Sequence, residues 1–220
     1  LDNNVELKDS NIEWIGQIPK HWEVSQFKRI IQKIKDGTHS SFQRVDEGKK
    51  LLSAKNVFNW GIEIKSNESL ISNDDYNEIV KNGFPKKEDI LLTVVGTIGR
   101  SFVYNLDYPL AFQRSVCFLR LRNNFSPYFY NYYIQSTCFF DNLMSLAKTS
   151  AQSGVYMGDV VTTIVVRPPI KEQEEIAEYL DNKTSKIQSV IKNKEKQVEL
   201  YQELRKTVIN NAVTGKIKVC

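Results

Sequence analysis

The sequence is poor in the residues that hold small proteins together covalently or through metals. It carries three cysteines in 220 residues, Cys117, Cys138 and Cys220, and no two form a CxxC pair. An odd, scattered count fits free thiols in a reducing compartment, so a cytoplasmic location is expected. There are two histidines, His21 and His39, neither near a cysteine in sequence. That excludes a zinc site of the usual spacing, and no metal site is expected. No apolar run reaches the roughly 18 residues of a membrane span. The opening LDNNVELKDS lacks the apolar stretch of a signal peptide. No membrane is expected among the partners.

Catalytic motifs are missing too. There is no GxxxxGK[ST], and Gly96-Thr97-Ile98-Gly99 is too short to cradle a phosphate. No glycine-rich turn of the kind that binds dinucleotides or S-adenosylmethionine follows a strand. The base-gripping Asn-Pro-Pro-aromatic or Asp-Pro-Pro-aromatic motif of adenine methyltransferases is absent. Pro168-Pro169 stands between Arg167 and Ile170 and cannot serve. A GxSxG elbow is lacking. Glu63-Ile64-Lys65 has the ExK form of nuclease metal sites, without a convincing partner acid. A binding module with no catalytic residue and no cofactor of its own is therefore favoured over an enzyme.

What remains is ordinary globular material, 41% hydrophobic and 25% charged. At about 150 residues per domain, the length gives one compact domain plus a large appendage. The net charge of +4 permits nucleic acid binding without demanding it. Residues 1–167 read as mixed α/β. An extended lead-in covers Trp14 to Trp22, and Val24 to Lys35 suits a strand or short helix. Strands are expected at Lys50–Ala54, Ile62–Lys65, Asp89–Val95, Ser101–Tyr104, Ser115–Leu121 and Val160–Val166. Asp74–Lys81 reads as a helix. Ser126-Pro127 opens a further helix from Tyr128 to Met144, whose aromatics (Phe129, Tyr132, Tyr133, Phe140) read as core packing rather than base stacking.

Two prolines at 168 and 169 end the last strand, because they lack the N–H groups that a ladder needs. From Glu172 to Ala212 there is neither glycine nor proline, and Gly215 supplies a stop. Leu180, Ile187, Tyr201 and Val208 lie on a seven-residue repeat with Lys194, while Ile191 and Val198 lie four positions on and Leu204 widens the stripe. Such a stripe is one face of a helix that packs on another long helix. Forty-one residues span about 60 Å, more than a small domain is wide. Most of the helix is expected to project and to need a partner. The expected division is 1–167 globular, 168–215 helix and 216–220 tail.

Three stretches carry a resemblance to the DNA specificity subunits of type I restriction–modification systems. KDSNIEWIGQIPKHWEV (Lys8–Val24) resembles the opening of a target recognition domain. PPIKEQEEIAEYLDNKTSKI (Pro168–Ile187) is similar to the start of that family's spacer helix, and NNAVTGKIKV (Asn210–Val219) to its end. The looser landmarks are DGTH (Asp36–His39), GTIGR (Gly96–Arg100) and Phe112-Gln113-Arg114. A full subunit has two recognition domains and two helices, whereas this chain has one of each and no initiator Met. The C-terminal half of a longer subunit is expected, with a natural half-length subunit as the alternative.

The resemblance implies a non-catalytic mixed α/β target recognition domain followed by a long helix pairing as an antiparallel coiled coil. It implies double-stranded DNA and methyltransferase subunits as partners. A restriction motor subunit would join through the complex, and a second recognition half or an identical chain through the helix. S-adenosylmethionine, ATP and Mg are implied only on partner subunits. Base readout favours Arg or Lys toward guanine and Asn or Gln toward adenine, with Ser, Thr and backbone amides on phosphates. On these grounds the DNA contacts are expected at Thr38, His39, Lys55, Asn56, Arg100, Gln113, Arg114, Lys148, Thr149, Ser150, Gln152 and Ser153. Lys192–Lys196 reads as a solvated basic face. The rival readings are a coiled-coil adaptor whose globular domain binds protein, and a nuclease using Glu63 and Lys65.

Overall fold

The computed structural model describes residues 5–147 and 154–218. The chain divides into two compact units, Leu1–Glu175 and Ile176–Cys220. The first opens on a hairpin of β1 (Leu7–Asp9) and β2 (Gln17–Pro19) rather than a plain extended lead-in. The stretch read as strand or short helix contains both kinds of structure. Strand β3 (Glu23–Gln26) runs into a single 3-10 turn at Phe27–Arg29 and then β4 (Ile31–Asp36). Phe27 and Ile30 are fully buried at that turn. Phe27 meets the rings of Tyr130 and Phe139 at 5.7 and 5.9 Å, so aromatic packing fixes where the chain bends.

Strand β5 (Lys49–Leu52) leads through a 3-10 turn at Ala54–Asn56 into a small hairpin, β6 (Val57–Phe58) with β7 (Gly61–Ile62). The strand expected at Ile62–Lys65 is cut short, because the Glu63 N–H turns back to the Asn56 carbonyl at 2.9 Å. Next come β8 (Leu70–Ile71), α1 (Asn73–Asn82), β9 (Ile90–Thr93), β10 (Ser101–Val103), β11 (Ala111–Phe112) and β12 (Val116–Leu121). Ser72 caps α1 by accepting the Asp75 N–H at 3.1 Å.

The main sheet is antiparallel, in the order β10-β9-β12-β4. A second sheet, β11-β5-β8, pairs β11 with β5 in parallel and β5 with β8 antiparallel. Leu52, Leu91, Tyr104, Phe112 and Phe118 form a shared core between them. The Arg120 side chain on β12 is met by buried Asp89, a two-pronged ion pair at 2.8 and 2.6 Å.

The helix expected over Tyr128–Met144 is two helices, α2 (Pro127–Ile134) and α3 (Thr137–Leu146). Ser136 makes the break. Its hydroxyl donates to the Tyr133 carbonyl at 2.6 Å and accepts the Phe139 N–H at 3.3 Å, ending one helix and capping the next. The run Val160–Val166 is likewise divided between α4 (Met157–Thr162) and β13 (Ile164–Arg167). Asp159 accepts the Tyr156 N–H at 2.9 Å, and Thr162 and Thr163 bond back to the carbonyls of the preceding turn. Those local bonds override the β preference of a branched run.

The final helix, α5, runs Ile170–Val213. In the second unit its stripe residues Ile187, Ile191, Val198, Tyr201, Leu204 and Val208 are exposed. Gly215 ends the helix at φ +71, and the Lys216 N–H reaches the Asn211 carbonyl at 2.8 Å. Among the described residues no helix is long and apolar enough to cross a membrane.

Candidate nucleic-acid interface

The scaffold of the site is closed by the two ends of the first unit. Strand β13 pairs antiparallel with β3, from Ile164 opposite Gln26 to Arg167 opposite Glu23. Glu172, in the first turn of α5, accepts the Trp22 indole N–H at 2.8 Å and holds His21 at 2.6 Å. Buried Gln173 accepts the Ser126 N–H at 2.9 Å and donates to the Pro168 carbonyl at 2.7 Å. The IPKHWEV and PPIKEQEEI stretches, about 150 positions apart in sequence, are thus one clasp. Everything expected at the DNA surface lies between its two sides.

Three of the expected loops come together. The Thr38 N–H donates to the Phe112 carbonyl at 2.8 Å, and the Arg114 N–H returns to the Thr38 carbonyl at 3.0 Å, so Thr38 bridges Gln113. Gly37 is required here because a Cβ would lie 2.2 Å from the Phe112 carbonyl oxygen. His39 rests against Asp36. His39 and Arg114 are both exposed and line one cleft with Val95, Gly154 and Tyr156. The Val155 N–H bonds the Val94 carbonyl at 2.8 Å, and Gly154 bridges Val95. The chain that leaves the 148–153 segment therefore enters this same cleft. Lys148, Thr149, Ser150, Gln152 and Ser153 themselves lie outside the described residues.

Lys55 and Asn56 occupy a different place. Asn56 is buried, and its amide donates to the Glu63 carbonyl at 2.9 Å and the Glu68 carboxylate at 2.8 Å while accepting the Ser53 N–H at 3.0 Å. Those bonds commit the polar groups that base readout would need. Exposed Lys55 pairs with buried Glu68 at 2.7 Å. The Lys55 ammonium, helped by Asn56, holds the Glu68 carboxyl below its ordinary range against the opposing pull of burial. Glu68 went unread in the sequence, which gives no sign that it is buried.

Arg100 forms a third arrangement, separate from the cleft lining. It follows Gly99, which adopts φ +90 and has the Phe140 ring 2.8 Å from where a Cβ would sit. Its guanidinium lies 4.8 Å over the Phe58 ring, which stacks on Trp60 at 4.8 Å. Phe58 and Trp60 were not read as functional from the sequence. The signal available was the Asn59-Trp60-Gly61 turn, an aromatic at a hairpin tip. Of the four aromatics expected in the core, Phe129 is buried, Tyr132 and Tyr133 are half-buried, and Phe140 is exposed against that expectation, while Tyr130, which was not among them, is fully buried. Among the described residues no group of three or more His, Cys, Asp or Glu side chains is placed to hold a metal ion.

A loop-bearing mixed α/β domain with a clasped base and a long terminal helix is the architecture of a specificity domain. Residues 19–200 match the type I restriction modification DNA specificity domain, and the chain belongs to that family. It is 26% identical over 216 residues to the type I restriction enzyme MjaVIII specificity subunit of Methanocaldococcus jannaschii, covering 93% of this chain and 48% of that one. The chain spans about half the length of the curated relatives it matches. Among solved structures, a chain from work on assembly and conformational transition of the type I R-M system aligns with a TM-score of 0.67 at 16% identity. That alignment covers 89% of this chain and 46% of the other. The HsdS subunit from Thermoanaerobacter tengcongensis aligns with a TM-score of 0.57 at 18% identity, over 91% and 46%. These alignments show the fold.

Proposed function

We propose that this chain is one half of a DNA specificity subunit, reading one half of a split target in duplex DNA without performing chemistry. Residues 1–167 would be the reader, 168–215 the spacer helix and 216–220 a tail. The helix would pair antiparallel as a coiled coil with a second recognition half or an identical chain, and would dock methyltransferase subunits. A restriction motor subunit would join through that complex. S-adenosylmethionine, ATP and Mg would belong to those partners, and the assembly would work in the cytoplasm.

The observation that carries the reading is the convergence of the Thr38–His39 and Gln113–Arg114 loops with Gly154 at one cleft. Exposed Arg114 and His39 offer donors to base edges, and Thr38 and Gln113 stand beside them. A single reader with modest net charge gives weak binding on its own. Its salt response follows from phosphate neutralisation, with log K falling by about 0.9 per log unit of salt for each phosphate neutralised. A mobility-shift titration of the chain on duplexes of random sequence measures that slope. A flat salt response, or no shift at any concentration, would refute the reading.

A further inference from the structure

Trp60 stands at the tip of the β6–β7 hairpin with 61% of its surface exposed. It is held rather than free. One side stacks on Phe58 with the planes 23° apart, and its indole N–H meets the Glu63 carboxylate at 3.4 Å. The hairpin is bolted to the main sheet, because the Asn59 side-chain oxygen accepts the Ser101 N–H at 3.1 Å. The stack fixes the ring while leaving its other face in water, so the indole is held in one orientation with apolar surface open to a partner.

Beside it, the Arg100 guanidinium lies over Phe58 and makes no ion pair among the described residues. Among the described residues its N–H donors meet no acceptor, which suits a phosphate. The Val94–Arg100 segment joins this arrangement to the cleft: one end bonds Val155 at the Gly154 side, and the other carries Arg100. An aromatic wedge beside a free guanidinium, on the loop that also borders the proposed reading cleft, matches DNA better than an apolar protein surface.

We infer that Trp60 is a stacking wedge for duplex DNA, its free indole face meeting a base at a kinked step while Arg100 holds the adjacent phosphate. This rests on the reading of the chain as a DNA-recognition half. Wedges of this kind unstack one step and bend the duplex around the protein. Each base stacked on an aromatic contributes about ten- to a hundredfold in affinity.

The test begins by selecting duplexes bound by the wild-type chain from a random-sequence pool. 2-Aminopurine is then placed at successive positions of the selected duplex. The wild type is expected to change the probe's fluorescence at one step, quenching it where the indole stacks on it and brightening it where the neighbouring base has lost its stack. Trp60→Ala is expected to lose that signal and about ten- to a hundredfold in affinity, Arg100→Ala to weaken binding with the signal kept, and Trp60→Phe to stay near wild type. Circular dichroism melting is expected to be unchanged for all three. A Trp60→Ala chain that binds the selected duplex within about twofold of wild type, with the same fluorescence profile, overturns the wedge while the reader stands. The wedge is likewise overturned if Trp60→Ala keeps DNA affinity and loses only co-elution with methyltransferase subunits, which marks a protein contact. A wild type that enriches no duplex overturns the DNA reading, and the wedge with it.

Discussion

Replacing Ile187, Ile191 and Val198 together with Asp tests whether the helix stripe drives association. The three residues are 59%, 43% and 54% exposed, so pairing removes about half of each from water. Full burial of such a side chain is worth about 1.5–3 kcal/mol, so three half-buried ones give about 2–5 kcal/mol per helix, and about 4–9 in an antiparallel pair of identical helices. At 1.4 kcal/mol per factor of ten, the lower bound is about a thousandfold in the pairing constant. Three buried carboxylates add a desolvation cost in the same direction. The wild-type chain of 25.4 kDa is expected to sediment at twice that mass at micromolar concentration, and the variant at the single mass. The near-ultraviolet dichroism of the first unit should not change, because the clasp at Trp22, Glu172 and Gln173 is untouched. Equal masses for variant and wild type would refute the argument.

Inserting four residues near Asn193 adds about 6 Å and only about 40° beyond a full turn. At about 3.4 Å per base pair, the unspecified spacer of the methylated target should lengthen by one or two pairs with half-sites unchanged. Mapping methylated sites for the insertion variant paired with its methyltransferase decides the point, and an unchanged spacer at full activity refutes it. Asn56→Ala should cost about 1–3 kcal/mol in chemical denaturation, because it leaves the Ser53 N–H without its acceptor and takes one donor from the Glu68 carboxylate, which keeps Lys55, whereas Arg114→Ala should weaken DNA binding with stability unchanged. Since the Glu68 carboxyl is held below its ordinary 4.5, its contribution is complete above that pH and is lost as pH falls through the lowered value. The stability gap between wild type and Glu68→Gln should therefore close in acid, and a gap that widens instead would refute the assignment. Burial pushes the Cys117 thiol up to about 12, so peptide mass spectrometry should find it unlabelled by thiol reagents until the domain unfolds; native-state labelling as fast as Cys138 would refute this.

Much of the architecture was legible because it rests on strong local signals. The Pro168-Pro169 stop, the Ser126-Pro127 helix start and the uninterrupted heptad stripe all read correctly as boundaries or as helix. Two elements were misjudged for one reason: side-chain caps outweighed pattern. Ser136 split a helix whose periodicity ran on through it, and Asp159 with Thr162 and Thr163 turned the front of a valine-rich run into α4. For the candidate site, the Gly37 turn pointed toward Thr38 and His39 and the position before a strand toward Gln113 and Arg114; the fold brings the two loops together, with His39 and Arg114 lining one cleft. Asn56 read as a DNA contact just past a strand, since nothing in sequence showed that Glu68, twelve positions on, is a buried acceptor for its amide. Trp60 was missed because a lone tryptophan in a turn has no periodicity. Its meaning comes from Arg100, forty positions away in sequence, and from the Phe58 ring between them.

The clasp formed by β3, β13, Glu172 and Gln173 makes the 27–160 stretch a cassette. Its two ends lie side by side on paired strands, Ser126, Tyr130 and Asn142 within it bond to the same frame, and no bond of the clasp uses a residue that lines the cleft. Residues lining the cleft can therefore change without altering a bond of the clasp. A different cassette seated between the same Trp22 and Glu172 grips would keep the clasp, provided that it supplied a partner for Gln173 as Ser126 does. Exchange of the whole stretch in a single recombination event would then change the cleft at once, where point changes would have to alter it residue by residue.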